Sequence, residues 1–141
     1  MNALARAFRA VLGGRTGGRD PLGPRGERIA MKHLRAKGHR KVGANVRLPA
    51  GEIDLLTIAP DGRTVVVVEV KAKRIAGDER GAPPPEASVH ERKRAKLRLL
   101  AQQAARARGW TDRPLRIDVV AVDVPERGRP AVRHYENAVR G

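Results

Sequence analysis

Two acids and a lysine, Asp54, Glu69 and Lys71, have the residue types needed to bind a metal ion and act on a phosphate. Carboxylates held close together repel each other unless a cation lies between them, and Lys71 or a divalent metal could be that cation. Ligand sets made only of oxygen atoms suit Mg²⁺ or Mn²⁺ rather than zinc. A metal polarises a phosphate oxygen and lowers the pKa of bound water, while Lys71 would orient the nucleophile or balance developing charge. The trio therefore points to phosphodiester hydrolysis.

A predicted β-hairpin places these residues on one face of a sheet. The Asp-Gly pair at 61–62 is a strong signal for a two-residue turn. With this pair as the loop, Asp54 lies directly across from Glu69, and Glu52 lies directly across from Lys71. Because side chains alternate along a strand, all four project from the same face, and opposed Cβ atoms lie about 4.5–5.5 Å apart.

Spacing alone leaves an ordinary alternative open for this group. Carboxylates and lysines on a strand often form a solvated face with cross-strand salt bridges. The run Val65–Val68, however, predicts that the third strand is central in the sheet. Charges near the middle of a sheet need a reason that charges on an edge do not, so this position favours the catalytic interpretation.

The predicted elements follow the order helix, three strands, helix and strand, with one more strand near the end. Gly38 and Gly109 are placed to end the helices, and Ser88 with Glu91 fits a capping box at the start of the second one. Three strands followed by a helix and a returning strand predict an α/β fold with a mixed sheet flanked by helices. The predicted bounds are 26–37 and 88–108 for the helices, and 42–48, 52–59, 63–73, 115–124 and 131–136 for the strands.

The composition predicts one folded domain and a polyanionic partner. We place the domain at 26–141, after a basic, flexible N-terminal tail and linker at 1–25. The chain carries 30 Lys and Arg against 15 Asp and Glu, which indicates DNA or RNA first and an anionic membrane surface second. With one Phe, one Trp and one Tyr, phosphate contacts would dominate over base stacking. The lack of cysteine excludes disulfides and thiolate chemistry, and no apolar run is long enough to span a membrane, so we expect a cytoplasmic protein.

The second helix predicts a basic surface beside the acidic residues. It carries Arg92, Lys93, Arg94 and Lys96, and Arg74 follows the third strand. These cations are candidates for contacts with a nucleic-acid backbone, next to a loop at 74–87 that we expect to be mobile. A solvated helix face is the alternative that the sequence leaves open.

Other ionisable residues favour structural roles. The histidines, His33, His39, His90 and His134, are scattered without metal-ligand spacing, so we interpret them as structural or surface residues. Asp118 lies amid apolar strand residues. It either forms structural hydrogen bonds or contacts the side chains that bind the metal, and we favour the structural role.

The string Asp54-(14 residues)-Glu69-Val70-Lys71 resembles the PD-(D/E)XK signature of restriction-endonuclease-like nucleases. The resemblance extends from about Gly26 to Val124. Together its motifs are similar to the YraN-type family of small bacterial proteins, which is itself similar to the archaeal Holliday-junction resolvases. The further motifs are Gly26-Glu27, Asn45-Val46-Arg47, Gly51-Glu52-Ile53-Asp54-Leu55 and Arg116-Ile117-Asp118-Val119-Val120.

The resemblance implies a restriction-endonuclease-like α-β-β-β-α-β core and a metal centre. Mg²⁺ (or Mn²⁺) would be held by Asp54, Glu69 and the carbonyl of Val70, with Lys71 beside them. Glu27 of the first helix would complete the acidic site. The ordinary alternative for Glu27 is an acid favoured by the helix macrodipole in a first turn.

Two further features qualify the resemblance. Glu52 is either a partner of Lys71 outside the metal ligands or part of a plain salt bridge. Ile53 stands where the signature has proline, and the second helix has no Gln-x-x-x-Tyr pattern, which argues against the RecB-like exonuclease branch.

The sequence thus predicts a metal-dependent endonuclease acting on nucleic acid, with structured or branched DNA favoured over RNA. A homodimer would be needed for symmetric cleavage of a junction. A non-catalytic nucleic-acid-binding module that retains the nuclease fold is the main alternative, and an adaptor for acidic proteins is a third.

Overall fold

Five strands form one mixed sheet with a helix packed on each face. The computed structural model describes residues 22–76 and 91–139. Neighbouring strands are antiparallel except for the parallel pair of the third and fourth, and the strand order in the sheet follows the chain. The elements are α1 (Leu22–Ala36), β1 (Arg40–Leu48), β2 (Gly51–Ile58), β3 (Val65–Ile75), α2 (Glu91–Ala107), β4 (Leu115–Pro125) and β5 (Ala131–Tyr135). This confirms the predicted element order and the mixed sheet, which are those of a restriction-endonuclease-like core.

The valine run of β3 forms the centre of both hydrophobic cores. Val66 and Val68 pack in the core under α1, whereas Val65 and Val67 pack in the core under α2. All four are buried because β3 lies between β2 and β4 with a helix on either side. β3 is therefore the central strand that its β-branched run predicts.

The first helix begins earlier than its sequence pattern predicts. It starts at Leu22 rather than Gly26, and Leu22 is only 2% exposed because it packs in the core under α1. Pro24 does not prevent this start, since a first-turn residue needs no intrahelical N–H bond. The expected boundary between linker and domain at residue 25 therefore lies inside the helix, and the tail at 1–21 is outside the described residues.

The connection between β2 and β3 is longer than the predicted two-residue turn. Ala59 N donates to Thr64 O (2.9 Å), and Gly62 N donates to Ala59 O (2.9 Å). The Asp61 carboxylate accepts hydrogen bonds from the backbone amides of Arg63 and Thr64 (2.8 Å each), which closes the loop. Because the wider loop has the same centre as the predicted one, the strand register is unchanged.

Two sequence predictions fall outside the described residues: the Ser88 cap and most of the loop at 74–87. Within the described ranges, neither helix is long and apolar enough to cross a membrane.

Candidate active site

The predicted pairing of β2 with β3 extends as far as Leu55, the residue after Asp54. The ladder contains Leu55–Val68 and the three pairs beyond it, in the predicted register. Asp54 and Glu69 come next in this register, just beyond the ladder, so their direct opposition stays a prediction. The Asp54 carboxylate, at 1% exposure, accepts a hydrogen bond from Val70 N through Oδ2 (2.9 Å). A side chain of β2 thus contacts the backbone of β3 beside Glu69.

Glu69 forms a buried ion pair across the face of the sheet that α2 covers. Lys93 Nζ lies 3.0 Å from Glu69 Oε1, and the two side chains are 7% and 6% exposed. Glu69 alternates in phase with Val65 and Val67, which face α2. The site therefore already holds one cation against a carboxylate predicted to bind metal.

Lys93 is buried, unlike the other cations with which the sequence analysis grouped it. It is buried against Glu69, whereas Arg74 and Arg92 are exposed and Arg94 and Lys96 are half-buried. A sequence signal for this exists, because Lys93 is in helical phase with the apolar stripe of α2 that packs on the sheet. That stripe comprises Leu97, Leu100, Ala101 and Ala104.

Glu27 is buried and forms a hydrogen bond with a side chain of β1. It lies in the second turn of α1, where the macrodipole no longer explains an acid, since the effect falls off within the first turn. Asn45 Nδ2 donates to Glu27 Oε2 (3.2 Å), and Asn45 has the uncommon positive φ of 52°. A Cβ built on the preceding residue, Gly26, would lie 2.5 Å from the Cβ of Ala72, so α1 packs directly on β3 just beyond Val70.

The two remaining predicted site residues flank this region. Lys71 follows Val70 on β3 and is half-buried. Glu52 lies across from Arg47 in the β1–β2 ladder, with Arg47 Nε 3.9 Å from Glu52 Oε2. This contact is compatible with the salt bridge considered for Glu52, and its partnership with Lys71 stays a prediction. Because Arg47 is largely exposed, such a pair contributes little to stability.

The tertiary structure brings together a histidine cluster that the linear spacing hides. Potential ligand atoms of His39, Asp118 and His134 lie within 4.8 Å of one another. Among residues 22–76 and 91–139, this is the group whose ligand atoms are close enough together to hold a metal ion. Asp118, at 0% exposure, accepts hydrogen bonds from Arg116 Nε and Nη2 (2.9 Å each), His134 Nε2 (2.8 Å) and Asn137 N (2.9 Å). All of its acceptor capacity is used, and a guanidinium lies beside it, so we assign the cluster a structural role.

Hydrogen bonding also fixes the proton on His134. Lys37 Nζ lies 2.6 Å from His134 Nδ1, and an ammonium can only donate, so Nδ1 accepts and the proton lies on Nε2, facing Asp118. Burial alone would raise the pKa of Asp118, but hydrogen bonds from His134 and Arg116 lower it below its ordinary value. Burial lowers the pKa of His39, which shares a hydrogen bond with Thr57 (2.9 Å). The expected structural role of Asp118 agrees with these contacts.

Comparison with known proteins identifies the family. The model of the uncharacterised protein family UPF0102 matches residues 26–122. The chain belongs to the UPF0102 family. A UPF0102 protein of Renibacterium salmoninarum is 42% identical over 80% of this chain and 91% of its own length, and one of Pelotomaculum thermopropionicum is 39% identical over 85% and 96%. These matches confirm the resemblance to the YraN-type family.

Among solved structures, the chain is similar to that of Pyrococcus furiosus SfsA in complex with Ca²⁺. It shares 14% identity over 82% of this chain and 62% of that chain, with a TM-score of 0.34. A similarity of this size carries no argument about the chain.

Proposed function

We propose that this UPF0102 protein is a metal-dependent endonuclease that hydrolyses phosphodiester bonds in structured or branched DNA in the cytoplasm. The observation that carries the proposal is the convergence of Asp54, Glu69 and a buried ammonium on one segment of the central strand. Buried charges are retained at a cost in stability, so carboxylates kept on the central strands need a reason.

The donor atoms available at this segment fit Mg²⁺ or Mn²⁺. Asp54 and Glu69 offer carboxylate oxygens, the Val70 carbonyl lies between Glu69 and Lys71 in the chain, and no softer ligand is needed. The Lys93 ammonium represents the positive charge of such a metal ion, because it lies 3.0 Å from a carboxylate oxygen of Glu69. When bound, the metal would supply Lewis-acid stabilisation of the phosphate and a more acidic water.

Residues of the chain itself would position the metal ion and the attacking water. Asp54 is fixed by its hydrogen bond from Val70 N, so its second oxygen keeps a defined direction. Lys71, half-buried and next to Val70, would orient the attacking water or balance charge on the phosphate. Glu27 would complete the acidic site from α1, with its carboxylate positioned by the hydrogen bond from Asn45.

A second candidate function is a non-catalytic nucleic-acid-binding module. It is favoured by the same ion pair, because Lys93 already neutralises Glu69. This module would bind DNA through its net charge of +15 without cutting it.

The test is a cleavage panel with nicked, branched, single-stranded and blunt duplex DNA in EDTA, Mg²⁺ or Mn²⁺. We expect cleavage of branched DNA only with metal, and a loss of about 100-fold or more in Asp54→Asn, Glu69→Gln and Lys71→Ala. Glu126→Gln is the matched control, since Glu126 is exposed on the loop between β4 and β5. Cleavage that persists in all three site variants would refute the nuclease; salt-sensitive binding without cleavage under any metal would favour the binding module.

A further inference from the structure

A cleft lies between α1 and β1, on the face of the sheet opposite the Glu69–Lys93 pair. Its volume is about 390 Å³, which is within the range of about 300–1,000 Å³ typical of ligand pockets. Leu55, the neighbour of Asp54, lines the cleft together with Glu27 and Asn45. Of the predicted catalytic residues, Glu27 lines the cleft, and the predicted metal-binding carboxylates do not.

The rim of the cleft is strongly positive. Arg28, Lys32 and Arg35 follow one another at i, i+4 and i+7 on α1, and Lys41 faces them from β1. All four are exposed, so their charged ends reach solvent. One acid, Glu27, lines the same cleft, which leaves a clear excess of positive charge for an anion such as a phosphodiester backbone.

The interior of the cleft is partly apolar, which contact with the backbone of a DNA duplex does not require. Met31, Ala44 and Leu55 supply an apolar floor, while Asn45 contributes an amide. A surface that contacts only the phosphates of a double helix has no use for a recessed apolar floor. An unpaired nucleotide has both parts, an anionic backbone for the rim and a flat, weakly polar base for the floor.

We propose that this cleft binds an unpaired nucleotide of the substrate strand, with its phosphates on the α1–β1 cations and its base over the apolar floor. The inference rests on the proposed nuclease function, whose substrate class it narrows to nucleic acid with a single-stranded segment. It also adds a binding surface distinct from the cations of α2.

The test measures binding of fluorescein-labelled DNA in EDTA, so that cleavage cannot change the probe. The variant Lys32→Gln/Arg35→Gln/Lys41→Gln removes three rim charges. The control Arg106→Gln/Arg127→Gln/Arg129→Gln removes three exposed charges elsewhere. We expect the rim variant to bind single-stranded and flapped probes about tenfold more weakly at low salt, with a salt slope shallower by about 2, and the control to lose much less.

A second variant tests the floor without changing charge. Ala44 is exposed in the cleft, so Ala44→Leu fills part of the floor and keeps the strand intact; Ala95→Leu on the exposed surface of α2 is its control. We expect Ala44→Leu to weaken binding of the flapped probe several-fold with an unchanged salt slope, and to leave blunt-duplex binding unaltered.

The outcomes separate this inference from the proposed function. If the wild type cleaves branched DNA but the rim variant binds like its control, the cleft inference is wrong and the nuclease stands. If the rim variant loses affinity for blunt duplex as strongly as for the flapped probe, the unpaired-nucleotide assignment is wrong. If the wild type binds no nucleic acid at all, both fall.

Discussion

The buried pair of Glu69 and Lys93 makes the most direct prediction, through the substitution Lys93→Met. Methionine has nearly the length of lysine and keeps the apolar stem against the sheet, so the change removes the ammonium with little loss of packing. It leaves the Glu69 carboxylate, whose side chain is 6% exposed, without the cation that lies 3.0 Å away in the wild type.

The expected cost is much larger than for a surface pair. At an effective dielectric constant of about 20, two unit charges at this separation attract by about 5.5 kcal/mol. Desolvation of both groups offsets much of that gain, so the intact pair contributes little net stability. Removing one partner, however, leaves the desolvation of the other uncompensated. We therefore expect Lys93→Met to lower the free energy of unfolding by about 3–5 kcal/mol.

Urea unfolding followed by circular dichroism measures this cost, first in EDTA and then with Mg²⁺ or Mn²⁺. If Glu69 is a metal ligand, a divalent cation replaces the missing ammonium. The deficit of Lys93→Met relative to wild type should then shrink as the metal concentration rises, because ligand bound only by the native state stabilises it.

Two controls decide the interpretation. Lys96→Met, at a half-buried position one turn along α2, should change stability by no more than about 0.5 kcal/mol. Adding Glu69→Gln to Lys93→Met should recover part of the loss, since neither charge is then left unpaired. A Lys93→Met protein as stable as Lys96→Met would refute the energetic reasoning. A deficit that is insensitive to metal would refute the assignment of Glu69 as a ligand.

Two further predictions concern the scaffold. Gly26→Ala should lower the free energy of unfolding, measured by thermal unfolding, by about 1–3 kcal/mol, because the added Cβ would lie 2.5 Å from that of Ala72. This loss is expected even though alanine favours helices more than glycine does. Ala72→Gly in the same chain should restore most of the loss, and a single variant as stable as wild type would contradict the close packing. Burial lowers the pKa of His39 from its ordinary value of 6.5. As the pH falls, His39 is therefore protonated in the unfolded chain before it is protonated in the folded chain. The free energy of unfolding should then decrease as the pH drops below about 6.5, until the folded-state pKa is passed. His39→Gln should show a smaller change between pH 7.5 and 5, and an unchanged pH dependence would exclude His39 as its source.

Local patterns determined the element order and the strand register. The Asp-Gly signal fixed the centre of the β2–β3 connection, and a loop of four residues about that centre gives the same pairs as a loop of two. The run Val65–Val68 determined the central strand, because four consecutive β-branched residues can all be buried only between two cores. The bounds of α1 were less accurate, since the four residues before Gly26 are Gly, Pro and Arg apart from the buried Leu22.

The acidic site was predictable in its residues and only partly in its geometry. Asp54 and Glu69 follow from spacing, and the ladder keeps the predicted register as far as Leu55 and Val68. The hydrogen bond from Val70 N to Asp54 Oδ2 was not predictable, because a pairing rule for strands does not fix side-chain rotamers.

Tertiary structure alone decided the partners of the charged groups. Lys93 belongs to a basic helix and Glu69 to a strand, and only the packing of α2 on β3 removes both from water and joins them. In the same way, His39, Asp118 and His134 are far apart in the chain and meet because β4 pairs with β5 and α1 leads into β1 beside them. A sequence states which side chains carry charge and which face they occupy, whereas the pairing of charges across elements depends on distances that only the folded chain defines.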